Sequence, residues 1–209
     1  MSSAAELAAG IEALGLAVPP SRQKLLLDYV GLIAKWNAVY NLSAIRSEPE
    51  MVSHHVLDAL SIVPYLPAGR FLDVGSGAGL PGIPVAVADA DRPVTLLDSS
   101  QKKAAFLQQA AIELGLANVT VRSARVEAWR PEERFDVIAS RAFAGLDQFV
   151  ARARHLLADG GVFVAMKGVD PQPEIAQLPG EYQVRSVERL AVPGVNAERH
   201  LVLVERASP

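Results

Sequence analysis

The chain contains no cysteine. That excludes disulfides, thiolate-rich zinc sites and any mechanism built on a cysteine nucleophile. The usual mark of a protein matured in an oxidising compartment is missing too. No stretch approaches the ~20 consecutive apolar residues of a membrane-spanning helix. Met1–Gly10 carries no basic cluster ahead of an apolar run, so no secretory leader is expected. An excess of either charge is also absent: 20 Lys and Arg face 23 Asp and Glu, for a net −3. Residues 1–69 hold 4 basic and 6 acidic side chains and residues 70–209 hold 16 and 17, so neither part is a basic module. Nucleic-acid binding by bulk charge is ruled out, whereas a local basic patch is not. What remains is ordinary: 209 residues, 50% hydrophobic and 21% charged. That is enough to bury ~70% of the unfolded surface without a metal or covalent staple. A cytoplasmic, monomeric protein without membrane contact is the expectation.

The first third reads as helices. Leu7, Ile11 and Leu14 recur at helical spacing up to Gly15, and a wide apolar stripe from Leu25 to Trp36 follows Pro19-Pro20. Asn37 to Arg46 breaks the period and reads as a loop. Ser47 then stands as the cap of a third helix, with Met51, Val52, His55, Val56, Ala59 and Leu60 on one face. After Gly69 the period changes. Short β-rich runs at Arg70–Val74, Val94–Asp98, Val119–Arg122, Phe135–Ser140 and Val162–Met166 alternate with helical stretches at about Pro81–Ala90, Ser100–Leu114 and Leu146–Leu157. That alternation implies a parallel sheet with right-handed crossovers. Tyr182–Leu190 and His200–Glu205 lack a helix between them and read as an antiparallel pair that completes a seven-stranded sheet. The organisation is a helical cap, residues 1–69, followed by an open α/β domain, residues 70–209.

Phe71 to Leu80 (Phe-Leu-Asp-Val-Gly-Ser-Gly-Ala-Gly-Leu) is a strand running through glycines into a helix. Glycine lets a backbone turn tightly and approach a ligand with no Cβ in the way. A plain strand-to-helix turn is the bland alternative. Two details depart from the dinucleotide fingerprint: Leu80 stands where that pattern wants its third glycine, which here is Gly79, one residue early. Asp73, just inside the strand, would repel a pyrophosphate but can accept from an ammonium group, which S-adenosylmethionine carries and NAD does not. Asp98 ends the second strand, 23 residues after Gly75, where a carboxylate can accept from both ribose hydroxyls. It can equally cap the helix that follows, and the two roles are compatible. Ser123 to Glu127, at the end of the third strand, is placed to face an adenine or simply to line the rim.

These segments resemble the small-subunit ribosomal RNA methyltransferase G family, also called glucose-inhibited division protein B. The resemblance is carried by Lys35-Trp36-Asn37, Tyr40-Asn41-Leu42, His55 to Asp58, Asp73 to Pro84, Leu96 to Ser99, Ser140 to Ala144, Lys167-Gly168 and Glu198 to Leu201, in order over nearly the whole chain. Asp73–Pro84 joined to Ser140–Ala144 is the specific part. The resemblance implies a Rossmann-like class I methyltransferase sheet, mostly parallel with an antiparallel C-terminal strand. It also implies methyl transfer from S-adenosylmethionine to N7 of a guanine (position 527) in the 530 loop of 16S rRNA. Cofactor contacts are implied at Gly75, Leu80, Asp98, Ser99, Ser100, Val126, Glu127 and Arg141, to which the glycine turn adds Asp73, Gly77 and Gly79. Ala78 stands where relatives often carry proline.

Guanine N7 has a lone pair and no proton, so it can attack a sulfonium methyl without a general base. Alignment then carries the catalysis, and well-oriented reactants gain ~7–11 kcal/mol. No covalent or general-base residue is expected. Arg141, Lys167 and Asn41 are the candidates for positioning the guanine. Arg46, Lys102, Lys103, Lys167, Arg199 and His200 are the candidate RNA contacts, since strand C-terminal ends share one rim with the crevice. Arg152 and Arg154 read as a solvated helix face, and Trp36 and Tyr40 as core more than as base-stacking surface. His54 and His55 point about 100° apart on a helix and do not share a metal, so no metal is expected. The weak net charge points to an assembled small-subunit particle, or its precursor, over free RNA. An NAD-dependent oxidoreductase and a non-catalytic ribosome-binding protein that retains the fold remain as alternatives.

Overall fold

A computed structural model describes residues 2–141, 143 and 145–207; Ala142 and Ala144 of the matched Ser140–Ala144 segment lie outside the described residues. Helix α1 spans Ser3–Ala13 with Ser2 as its cap, and α2 spans Pro20–Tyr40. Proline opens α2 because its missing N–H has no partner in a first turn anyway. The expected third helix is broken into parts: α3 at Glu48–Met51, a π-helical stretch at Val52–Leu57, and α4 at Asp58–Leu60. Ser47 is at the cap position but makes no side-chain cap bond. The wide π turn changes the phase of the helix, so Ser53, His55 and Asp58 are all buried beside Val52, Val56 and Leu57.

The sheet follows. Strand β1 is Phe71–Val74, then α5 Gly82–Ala88, β2 Val94–Asp98, α6 Gln101–Glu113, β3 Val119–Ser123, β4 Phe135–Ser140 and α7 Leu146–Ala153. Strand β5, α8, β6 and β7 complete it at Leu157–Lys167, Gln172–Ile175, Tyr182–Arg189 and His200–Arg206. Strand order is β3-β2-β1-β4-β5-β7-β6, parallel up to β5, with β7 antiparallel to both β5 and β6. Three boundaries differ from the sequence pattern. Helix α2 runs on through Asn37 to Tyr40, four residues into the stretch expected as a loop, because Asn37 is buried and its side chain bonds the loop that follows. The helix expected to reach Leu157 stops at Ala153 in a 3-10 turn, and β5 begins at Leu157, bending where Gly160 takes φ +75°. The four-residue α8 was not expected at all.

Successive strand residues serve opposite faces. Phe71, Leu96, Val137 and Val164 join Leu7, Ile11, Leu26, Ile33, Val56 and Leu60 in one continuous core, so residues 2–69 pack as a layer on the sheet. Leu72, Ile138, Phe163 and Val202 pack on the other face with Phe149 and Tyr182. Parallel strands buried on both faces give the unbroken apolar runs seen in the sequence. Between β1 and β4 the strand order reverses, and a crevice opens beyond their C-terminal ends. Ser140 Oγ donates to the Val74 carbonyl at 2.9 Å, so the two strand ends are tied side by side, and Gly75 and Arg141 just beyond them line the crevice.

Tyr29 ties the helical layer to that crevice. Its side chain is fully buried, and its hydroxyl donates to the Ala78 carbonyl in the glycine turn at 2.5 Å. Burial pushes the phenol well above its usual pKa, which keeps it a donor. Tyr29→Phe should cost about 1–3 kcal/mol by leaving that carbonyl unpaired. Urea unfolding of the two proteins measures this, and equal midpoints would refute the tie.

Candidate active site

Three features shape the glycine turn. Gly75 takes φ +73° with open space where a Cβ would stand, so the chain can turn and stay bare toward the crevice. Gly79 serves packing instead: a Cβ there would sit 2.5 Å from Ile83 Cδ1 and 3.1 Å from Leu107 Cδ2. Gly77, also at positive φ, donates its N–H to Asp98 Oδ2 at 2.9 Å. Asp98 Oδ1 accepts from the Ser100 N–H at 2.8 Å. The carboxylate thus bridges the turn to the start of α6, where Ser100 and not Asp98 is the cap residue.

Asp73 differs from its expected placement. It is 0% exposed, with Oδ2 accepting from the Gly82 N–H at 3.0 Å and Oδ1 buried without a hydrogen-bond partner among the described residues. The direct ammonium contact expected of it has no exposed oxygen to make it. Its carboxyl acts from beneath the turn. Burial pushes its pKa up to about 7, a rise opposed by the Gly82 bond.

Two cavities adjoin at Gly75. One, of about 190 Å³, is lined by Val74, Leu97, Ser99, Ala124 to Glu127, Phe143 and Arg152. It contains Ser99, Val126 and Glu127 as the sequence proposed. Arg152, expected to be a solvated helix residue, pairs with Glu127 at 3.3 Å and has its guanidinium carbon 6.0 Å from the Phe143 ring centroid. The other cavity, of about 400 Å³, is lined by Leu42 to Ile45, His55, Gly75 to Ala78, Leu80, Lys103 and Arg141.

Arg141 is held on three sides. Its Nη1 lies 3.3 Å from Asp58 Oδ2 and donates to the His54 carbonyl at 3.3 Å, while Nη2 lies 3.5 Å from His55 Nδ1. Asp58 Oδ1 accepts from Arg199 Nε at 2.8 Å. One buried carboxylate from the end of the π turn therefore anchors an arginine after β4 and another before β7. Arg141 keeps Nε–H and one Nη2–H without an acceptor among the described residues, and these remain for a ligand. Arg199 is a strut first, with its second contact, from Nη1, to its neighbour's carbonyl, Glu198. His200 is half-buried, and its Nδ1 has no partner.

His55 links Arg141 to the loop at 41–47. Its Nε2 meets Ser43 Oγ at 2.7 Å, and Ser43 Oγ accepts from the Ile45 N–H at 3.0 Å. Burial and the nearby Arg141 charge push its pKa down to about 4, so the ring is neutral at pH 7. Arginine can only donate, which favours the tautomer with Nδ1 as acceptor and Nε2–H toward Ser43. Asn37, buried in α2, fills the same loop: its amide nitrogen donates to the Ser43 and Ile45 carbonyls and its oxygen accepts from the Ser43 N–H. Asn41 and Arg46 do come together, but on the outside. Arg46 Nη2 donates to Asn41 Oδ1, and Asn41 ends α2 in the left-handed region. Lys102 is exposed beside Lys103.

Lys167 requires correction. It is 8% exposed, its Nζ lies 2.7 Å from Glu174 Oε2 and donates to the Phe143 carbonyl at 3.1 Å. Glu174 also accepts from the Leu146 N–H at 2.9 Å. The pair staples the segment after Arg141, and no free ammonium is left to face RNA. The unforeseen α8, which supplies Glu174, is the reason.

The arrangement suits a nucleoside-bearing cation beside a second planar ligand. The rRNA small subunit methyltransferase G (GidB) family matches over residues 22–202. The chain belongs to this family. A ribosomal RNA small subunit methyltransferase G from Laribacter hongkongensis is 55% identical over 197 residues, covering 94% of this chain and 95% of the relative. One from Neisseria gonorrhoeae is 54% identical over 201 residues, covering 96% and 97%. The fold is that of the glycopeptide N-methyltransferase MtfA solved with S-adenosyl-L-methionine, at TM-score 0.64 and 14% identity over 74% of this chain and 88% of that one. Neither alternative kept open by the sequence, oxidoreductase or non-catalytic binder, finds support among these family members and neighbours. S-adenosylmethionine is the cofactor of this family's chemistry, and the residues present fit it: a bare Gly75 with no Cβ to block an approach and a carboxylate at the end of β2.

Asp73 and His55 pull stability in opposite directions with pH. The proton that folded Asp73 retains stabilises below its ordinary 3.8, and that stabilisation is lost as pH rises through about 7. Neutral His55 stabilises above its ordinary 6.5, and that is lost as pH falls through about 4. Asp73→Asn removes only the first, so between pH 4.5 and 6.5 its unfolding free energy should rise relative to the parent by about 1.4 kcal/mol per pH unit. Denaturant titrations across that range measure it, and parallel curves would mean that Asp73 is ionised in the folded protein.

Proposed function

We propose that this chain methylates N7 of a guanine in 16S rRNA, taking the substrate as an assembled small subunit or its precursor. Supporting this reading is one observation above the others: two cavities of different character adjoin at the bare Gly75. The smaller suits an adenosine, with Ser99 and Asp98 toward the ribose and the apolar Val126 against the base. The larger suits a flipped-out guanine. When bound, S-adenosylmethionine supplies a sulfonium methyl that the N7 lone pair takes directly.

The protein's part is therefore to orient. Asp98 fixes the turn at Gly77 and the start of α6, so the nucleoside site exists before ligand arrives. Arg141 presents two free donors whose spacing suits O6 of a guanine, leaving N7 toward the methyl. Neutral His55 and Asp58 hold that guanidinium in place. No side chain has to remove a proton, which agrees with the depressed basicity of His55. Monomeric action in the cytoplasm belongs to the same proposal; among the described residues no helix is long and apolar enough to cross a membrane.

Small subunits isolated from cells lacking the modification should gain one methyl per particle, at a guanine N7 in 16S rRNA, when given the protein and labelled cofactor. No incorporation, or incorporation elsewhere, would refute the reading. Arg141→Lys should lower the methyl-transfer rate roughly 10²-fold, the effect of losing one aimed donor. Asp98→Ala should instead weaken cofactor binding at least tenfold by calorimetry, about 1.4 kcal/mol.

A further inference from the structure

Tyr40, at the end of α2, contradicts its reading as core, and its neighbour Val39 is exposed with it. Tyr40 is 42% exposed and Val39 72%. The Tyr40 ring is not loose, however. It stacks on Trp36 with centroids 5.2 Å apart and planes 29° from parallel, and Trp36 is braced edge-on by Phe106 of α6 at 5.5 Å. An aromatic face supported from behind and open in front loses little freedom when a second planar group settles on it.

Its surroundings are selective. Residues 1–69 contain 4 Lys and Arg, and two of them, Lys35 and Arg46, flank this end of α2. Lys35 lies one turn before Val39 on the same helix face. Arg46 is held against Asn41 and the Asn37 carbonyl, the residues on either side of Tyr40 along the end of α2. Lys102 and Lys103 lie one turn before Phe106 on α6, and Lys103 also lines the larger cavity. Glu48 and Glu50 begin only on α3, beyond Arg46. From Tyr40 the chain passes through Asn41 directly into Leu42 to Ile45, the wall of that cavity. The ledge is thus the doorstep of the proposed guanine site.

We infer that Tyr40, backed by Trp36, is a stacking platform for an unpaired RNA base next to the target guanine. The inference rests on the proposed function and adds a substrate contact to it. Aromatic surface ringed by cations fits a single-stranded nucleic acid, whose bases stack while its phosphates pair with Lys and Arg. A flipped guanine leaves its neighbour unstacked, and the ledge gives that neighbour a new partner.

The test measures the Kd of the full-length protein for unmodified small subunits by direct binding, with methyl transfer and cofactor calorimetry recorded separately. Tyr40→Ala should raise that Kd roughly 5- to 100-fold, the range for loss of one base–aromatic stack, without changing cofactor affinity. Tyr40→Phe and Tyr40→Trp should retain parental binding. Tyr40→Leu, apolar but without a ring face, should behave as the alanine variant does. Unchanged binding by Tyr40→Ala overturns the platform. Full binding by Tyr40→Leu overturns it as well, because the occupant would then be an apolar protein surface. If the parent binds subunits in a Tyr40-dependent way but transfers no methyl group, the platform stands and the proposed function falls.

Discussion

A single buried carboxylate holds the reaction site in register. Asp58 is 2% exposed, and its two oxygens face guanidinium groups that arrive from the end of β4 and the start of β7. A charge so far from water is costly unless paired, and removing one partner of such a pair typically costs 3–5 kcal/mol. That penalty is what makes the link informative. The helical layer, the middle of the sheet and its antiparallel edge can meet in only one relative position that satisfies Asp58. Arg141 inherits its aim from this, and so do His55 and the loop that closes the larger cavity. The π turn that ends at Leu57 keeps Ser53, His55 and Asp58 all buried, Ser53 and Asp58 standing five residues apart, a spacing that the wider turn brings to one side.

A second constraint operates at the glycine turn. Tyr29 grips it from the helical layer, Asp73 from beneath and Asp98 from the side. The three attach to different residues, Ala78, Gly82 and Gly77, so the turn is fixed without any side chain standing on its open face. This explains why bare glycine and rigidity coexist at Gly75. It also shows how the turn keeps its shape around Ala78: the hydrogen bond from Tyr29 falls on that very residue.

Much of this architecture was legible in the sequence because it obeys local rules. Short β-rich runs separated by helical ones pointed to the parallel sheet, and the missing helix before His200 to the antiparallel pair. The glycine turn and Asp98 stood out because their chemistry lies at fixed offsets from a strand end. What escaped depends on contacts between distant segments. Asp58 and Asn37 sat inside matched segments with no role attached, since nothing local says that a polar helical residue is buried. Lys167 was read as a rim cation because its partner, Glu174, lies on a helix of only four residues. Tyr40 was misplaced because a residue's face on an amphipathic helix depends on where that helix ends and what it packs against, whereas Arg152 is exposed as read and still reaches Glu127.

Those corrections change the account of how RNA is met. Of the cations expected on the rim, Arg199 is bound to Asp58 and Lys167 to Glu174. Arg141 is paired as well and has only part of its guanidinium to offer. The strand ends are thereby poor in free charge, and cations that pair with no carboxylate among the described residues, Lys35, Arg46, Lys102 and Lys103, stand on α2, the loop after it and α6. A protein so equipped cannot collect RNA by counterion release alone, which scales with the number of phosphates neutralised. In the proposed function, selection then falls to shape and planar contacts, which suit an assembled particle. Internal neutralisation of the arginines is thus part of the specificity: the same pairing that orients Arg141 removes the charge that would bind indiscriminately.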